Sequence, residues 1–207
     1  MSTTTTSNTP TAAEREPVVL HFALPLRKMT EQEFYEFCQL NPELSLELTS
    51  EGDLLIMPPT GGKTGIRNAI LITRLTTWAL ADKSGRPFDS STVFTLPNGA
   101  KRSPDFAWVR NERWDALTEE EQERFPPLCP DFVVELRSRT DTLKNLRRKM
   151  EEYLANGAQL GWLIDPQERR VYVYRAGAEV EELDDPQIVS GEPLLRGLEL
   201  ELKEIWD

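Results

Sequence analysis

The sequence predicts a mixed α/β fold in which helices flank a central β-sheet. Short apolar runs with strand composition, such as Phe132-Val133-Val134-Glu135-Leu136 and Val171-Tyr172-Val173-Tyr174, alternate with longer stretches of helical period. Thr30 to Glu33 and Thr118 to Glu121 both have the T-x-x-E form of a helix start. The resulting order of helix, hairpin, helix, strands, helix, strands is that of a mixed sheet with helices on its faces.

Residues 1–17 are rich in Thr, Ser and Pro and poor in large apolar side chains. Such a segment cannot bury enough surface to offset its ordering, so a disordered tail is expected there and a single domain over 18–207. A short strand is expected at Val18 to Phe22. A helix follows Thr30, with Phe34, Phe37, Cys38 and Leu40 turned inward, and ends before Asn41-Pro42. Residues 46–49 and 54–57 flank Ser50-Glu51-Gly52-Asp53 and read as a hairpin. Residues 64–84 read as a long helix, with Ile66, Ile70, Leu71, Leu75 and Trp78 on one side and Gly85 as its stop. Strands are expected at 93–96, at 105–110 and, centrally, at 131–137. The helix begun by Asp141 carries its apolar stripe at Leu143, Leu146, Met150, Tyr153 and Leu154 and ends at Gly157. Further strands are expected at 160–164 and 171–174, with weaker ones at 188–189 and 198–202.

With 207 residues, 39% of them hydrophobic and 29% charged, the chain has the composition of a soluble globular protein. It contains no apolar run long enough to span a bilayer and no secretory leader pattern, so a cytoplasmic protein without membrane association is expected. The two cysteines, Cys38 and Cys129, are expected to be free thiols. The single histidine, His21, excludes sites that need several imidazoles. The net charge of −11 is adverse to nucleic-acid binding, yet residues 137–149 hold six basic side chains and one acid.

Three charges carry the chemical signal. Glu135 lies inside an otherwise apolar strand, where an ionised carboxylate is costly unless paired, hydrogen-bonded or bound to a metal. Strand alternation puts Val133, Glu135 and Arg137 on one face and Phe132, Val134 and Leu136 on the other. Asp105 opens a separate strand, and if the two strands are neighbours the carboxylates converge. Two such acids, with carbonyls and waters, suit Mg²⁺, which polarises a phosphoryl oxygen and acidifies a bound water. Lys149, at the edge of the next helix's stripe, is placed to lean back toward them. Arg137 is a second cation, able to clamp a phosphate. The same residues also fit a plain ion pair, Glu135 with Lys149 or Glu135 with Arg137.

At these residues the chain resembles the Uma2 family, a domain with a restriction-endonuclease-like fold in the PD-(D/E)xK nuclease superfamily. The resemblance runs from about residue 30 to 175. It is carried by the hairpin at 46–57, Thr60-Gly61-Gly62 before the long helix, Ser103-Pro104-Asp105, Val133-Val134-Glu135-Leu136-Arg137-Ser138, Lys149-Met150, and Gly161-Trp162-Leu163-Ile164-Asp165. It implies a restriction-endonuclease-like fold and a Mg²⁺-dependent (or Mn²⁺-dependent) endonuclease that hydrolyses DNA phosphodiester bonds. Asp105 then matches the aspartate of PD and Glu135 the acid of (D/E)xK, both as metal ligands. Arg137 stands where the motif has lysine, and Lys149 from the following helix takes that role. Glu47 matches the accessory acid of the wider superfamily. The basic run, with Arg139, Lys144 and Arg148, would meet the phosphates, and a homodimer is the simplest way to cut two strands. The alternative is a catalytically inactive nuclease-fold protein acting as a binding or regulatory module, which the net charge and the missing motif lysine favour.

Overall fold

A computed structural model describes residues 18–20 and 29–207 of the chain. The expected tail and His21 lie outside the described residues. Strand β1 (Val18–Leu20) is followed by α1 (Glu31–Leu40), whose N-terminus is closed by the capping box read from Thr30 and Glu33. Phe34 and its neighbours on α1 pack on the hairpin of β2 (Ser45–Leu48) and β3 (Leu54–Met57). Leu40, expected inward, is 81% exposed, because the stripe has rotated out by the last turn. Helix α2 (Gly62–Asp82) begins two residues earlier than expected. It buries Leu71, Leu75 and Ala79 but leaves Ile66, expected inward, in solvent.

Gly85 is not the stop of α2. Lys83 closes that helix in the left-handed conformation (φ 63°), and Gly85 opens β4 (Gly85–Asp89). A Cβ on Gly85 would fall 2.4 Å from both the Trp108 ring and the Val109 carbonyl oxygen, so only glycine permits this approach. Two short strands follow, β5 (Phe94–Thr95) and β6 (Lys101–Arg102), then β7 (Phe106–Arg110). Helices α3 (Asn111–Trp114) and α4 (Glu119–Glu123) precede β8 (Phe132–Leu136), and the box at Thr118 and Glu121 caps α4. Helix α5 (Leu143–Ala155) leads to β9 (Leu160–Asp165) and β10 (Arg170–Arg175). The chain closes with β11 (Glu181–Asp184), β12 (Ile188–Ser190), β13 (Glu199–Glu201) and α6 (Lys203–Trp206).

The strands form a mixed six-stranded sheet ordered β11-β10-β9-β8-β7-β4, a five-stranded sheet ordered β1-β3-β2-β6-β5, and the pair β12-β13. In the six-stranded sheet β8 runs parallel to β9 and antiparallel to β7. Its two faces have separate cores. Phe132, Val134 and Leu136 pack with Leu71 and Leu75 of α2, and Val133 packs with Met150 and Tyr153 of α5. Fully burying a side chain of this size stabilises the fold by about 1.5–3 kcal/mol, so the inward residues of α5 set its rotation over the sheet. The Met150 methyl lies where a Cβ on Gly161 would be, 2.4 Å from that position. This close seat fixes the residue before it, Lys149.

Candidate active site

The last rungs of the β7–β8 ladder pair Trp108 with Phe132, Ala107 with Val133 and Phe106 with Val134. One step further along the same register, Asp105 stands opposite Glu135. The neighbouring strands expected from the sequence therefore exist, and they bring the two acids to one end of the sheet. Asp105 ends the ladder with its side chain, as its Oδ2 accepts the Leu136 amide at 2.7 Å. Its Oδ1 accepts from the Asn68 amide of α2 at 3.3 Å.

Glu135, 4% exposed, lies under α5. Its Oε1 is 2.9 Å from Lys149 Nζ and accepts the Tyr153 hydroxyl at 3.0 Å. Lys149 and Tyr153 are four residues apart, one turn of helix, so α5 presents both to the same carboxylate. Lys149 Nζ is also 2.7 Å from Glu47 Oε1 on β2. Glu47 is held further by the Ser103 amide at 2.9 Å and by Arg102 at 3.1 Å, and Arg102 in turn binds Glu152 at 2.6 Å. Of the alternatives open in the sequence, the Glu135–Lys149 pair forms and the Glu135–Arg137 pair does not. Arg137 turns to Asp165, which is fully buried, at 2.7 Å. It also donates to the Asp141 carbonyl at 3.2 Å, so it braces the fold where it lines the cleft.

These groups form the floor of an open cleft of about 1020 Å³. The hairpin, the start of α2, the end of β8 and the start of α5 line it. Arg139, Lys144 and Arg148 are all exposed, and Arg139 and Arg148 line the cleft. Arg147, from the same basic run, instead stacks on Tyr172 and pairs with Glu182. The sequence reading missed Asn68, Arg102, Glu152 and Tyr153 as members of the site. Asn68 interrupts the buried stripe of Thr64, Leu71 and Leu75, which is a usable signal. Tyr153 was read only as core. Arg102 gave no signal, because the acids that bury it come from distant segments.

The electrostatics follow from the burial. Removal from water pushes Glu135 up to about 8, against the pull of Lys149 and with the help of Asp105 and Glu47. Burial likewise raises Asp105 above the usual aspartate range. Glu47 goes the other way, because Lys149 and Arg102 outweigh its burial and hold it ionised. Burial disfavours the Lys149 ammonium, but Glu135 and Glu47 outweigh it and raise its pKa, so it remains a cation at neutral pH. The cluster has four carboxylates (Glu47, Asp105, Glu135 and Glu152) and two cations (Arg102 and Lys149). Burial resists ionisation of both Asp105 and Glu135, and a divalent cation between them would supply the missing positive charge. Asp105 and Glu135 are oxygen donors of the kind such an ion takes, although among the described residues no group of three or more His, Cys, Asp or Glu side chains is placed to hold a metal ion.

A family model, Uma2, described as "Putative restriction endonuclease", matches residues 31–203. The chain belongs to the Uma2 family. A solved structure described as "a putative nuclease belonging to DUF820 from Anabaena variabilis ATCC 29413" is 25% identical to this Uma2 chain and superposes with a TM-score of 0.72. The match covers 86% of this chain and 97% of that one. No curated protein matches. The family and this neighbour bear out the restriction-endonuclease-like fold and support a nuclease-like function. Among the described residues no helix is long and apolar enough to cross a membrane.

Proposed function

We propose that this Uma2 protein hydrolyses DNA phosphodiester bonds in the cleft with a divalent metal ion, Mg²⁺ or Mn²⁺. The observation that carries the reading is the convergence of Asp105 and Glu135 at the ends of adjacent strands, with the Lys149 ammonium 2.9 Å from Glu135. Asp105 and Glu135 would hold the metal, which when bound polarises the phosphoryl oxygen and acidifies a water. Asn68 and the Leu136 amide keep the Asp105 carboxylate oriented, and Tyr153 does the same for Glu135. Lys149, kept protonated by its acidic neighbours, orients the attacking water and offsets charge on the phosphate; it is not a general base. Glu47 and Arg102 hold Lys149 and its surroundings in register. Arg139 and Arg148, at the cleft edge, and the exposed Lys144 meet neighbouring phosphates.

The test is nicking of supercoiled plasmid in Mn²⁺ and in Mg²⁺. Wild type should nick, Asp105→Ala and Glu135→Ala should be inactive, and Lys149→Ala should be slower by about 10²-fold or more. Equal rates for wild type and the Asp105 and Glu135 variants would remove the proposal.

A second reading, a binding module without catalysis, draws on Lys149 being held by two carboxylates at once and on the net charge of −11. DNA binding that survives a chelator, with no nicking in either metal, would select it.

A further inference from the structure

We propose that the cleft takes an unpaired DNA strand, with its bases against the hairpin of β2 and β3 and its sugar–phosphate backbone against the starts of α2 and α5. The nature of the polyanion rests on the nuclease reading; the sidedness of the cleft rests on the geometry.

Residues of a strand alternate between two faces. Leu54 and Ile56 of β3 pack with Phe34 of α1. Leu55 and Met57 therefore lie on the other face, and both line the cleft. Half-buried, they lead into the exposed Pro58 and Pro59, which line it too. A strand that faces water on one side ordinarily has polar residues there. Strand β3 is apolar on both sides, and the second side opens on a cleft that has carboxylates at its floor. An apolar surface beside a site for a polyanion calls for a ligand that has apolar faces as well as charge. In a nucleic acid the bases supply those faces.

Charge is divided across the cleft in the same sense. On the hairpin side the charged lining residues are Glu43, Glu47 and Glu51, and residues 43–57 contain no lysine or arginine. Arg102, on the adjoining β6, is taken up by Glu47 and Glu152. The helical side brings Lys63 and Arg67 of α2, Arg139 ahead of α5, and Arg148 on it. Phosphates are drawn to the helices and repelled from the hairpin, which turns the bases toward Leu55 and Met57.

Bases can turn this way only when they are unpaired. In a duplex they stack on one another and show only their edges in the grooves. The cleft, about 1020 Å³, is close to the upper limit of small-ligand pockets, about 1,000 Å³, which is room for a few nucleotides of one strand. A double helix would rest across its mouth, whereas Glu135, 4% exposed, lies on its floor.

The experiment is fluorescence-anisotropy binding in chelator, so that cleavage plays no part. The probes are a short labelled single strand, its blunt duplex, and the same single strand with abasic sites at its centre. Wild type should bind the single strand about tenfold more tightly than the duplex or better, and the abasic strand about tenfold more weakly than the intact one. Leu55→Thr combined with Met57→Thr keeps strand-forming residues and leaves the core face untouched. This variant should melt close to wild type and lose the preference for the intact strand over the abasic one. Arg139→Gln should weaken binding of both strands alike and lower the salt slope by about 0.7. Equal affinity for single strand and duplex, or for intact and abasic strands, in a protein that nicks plasmid would overturn the unpaired-strand inference and leave the nuclease reading intact. Base-dependent single-strand binding by a protein that cuts nothing would support the inference and remove the nuclease reading. Failure to bind any probe would overturn the inference, and with no nicking the nuclease reading as well.

Discussion

Replacing Lys149 by Met tests the electrostatic core of the site. The substitution keeps the length of the side chain and removes the ammonium that Glu47 and Glu135 share at 2.7 and 2.9 Å. Removing one partner of a buried ion pair costs about 3–5 kcal/mol. Glu47 keeps Arg102 at 3.1 Å and the Ser103 amide at 2.9 Å, and Glu135 is able to take up a proton. The loss should therefore lie at the lower end, about 3 kcal/mol near pH 7. Its pH dependence is a sharper test. The folded pKa of Glu135 is raised from the ordinary 4.5 to about 8, so the folded state binds the extra proton and stability falls as pH rises between those values. Without Lys149 the folded value moves higher still. Below about 8 the two proteins should lose stability in parallel; above it wild type levels off while Lys149→Met continues to fall. Urea denaturation in chelator, extrapolated linearly from about pH 6 to about pH 9, measures the gap. Adding Glu135→Gln to Lys149→Met should abolish the widening. A variant within about 0.5 kcal/mol of wild type, or a gap unchanged above neutrality, would refute the shared-ammonium account.

Two further outcomes are expected. Metal binding should release a proton near neutral pH, because burial raises Glu135 to about 8 and a bound cation favours its ionised form. Calorimetry with Mg²⁺ or Mn²⁺ in buffers of different ionisation enthalpy should show the release, affinity should rise as pH approaches about 8, and Asp105→Ala should abolish binding. Arg137→Met should leave the fully buried Asp165 without its cation and destabilise the fold by about 3 kcal/mol. DNA affinity should be unchanged in the same variant, as measured by urea denaturation and anisotropy side by side.

The site was legible wherever a residue contradicted its own surroundings. Glu135 inside an apolar strand, and Lys149 at the edge of a clean helical stripe, both announce a cost that a partner must meet, and the partners proved to be each other. Asp105 could be placed because it follows Pro104 at the opening of a strand and because the resemblance matches it to the aspartate of PD. Glu47 was found only through the family resemblance, since a single acid in a hairpin is unremarkable. Arg102 was illegible because Glu47 and Glu152, which balance it, are about 50 residues away on either side in the chain. Strand β4 was missed for a related reason. Gly85-Arg86-Pro87-Phe88-Asp89 has turn composition, and only its place at the margin of the sheet, where proline is tolerated, makes it a strand. The exposed Leu40 and Ile66 show the limit of periodicity, which finds a helix's apolar face but not where its neighbours stop covering it.

The two margins of the six-stranded sheet limit how copies of the chain could join. At one, β4 carries Pro87, which has no amide to offer an incoming strand. At the other, β11 bears Glu181, Glu182 and Asp184, and arginines of β10 reach across to all three. An approaching backbone would meet a missing donor on one side and a charged fringe on the other. Lengthening this sheet from molecule to molecule is thereby discouraged at both ends.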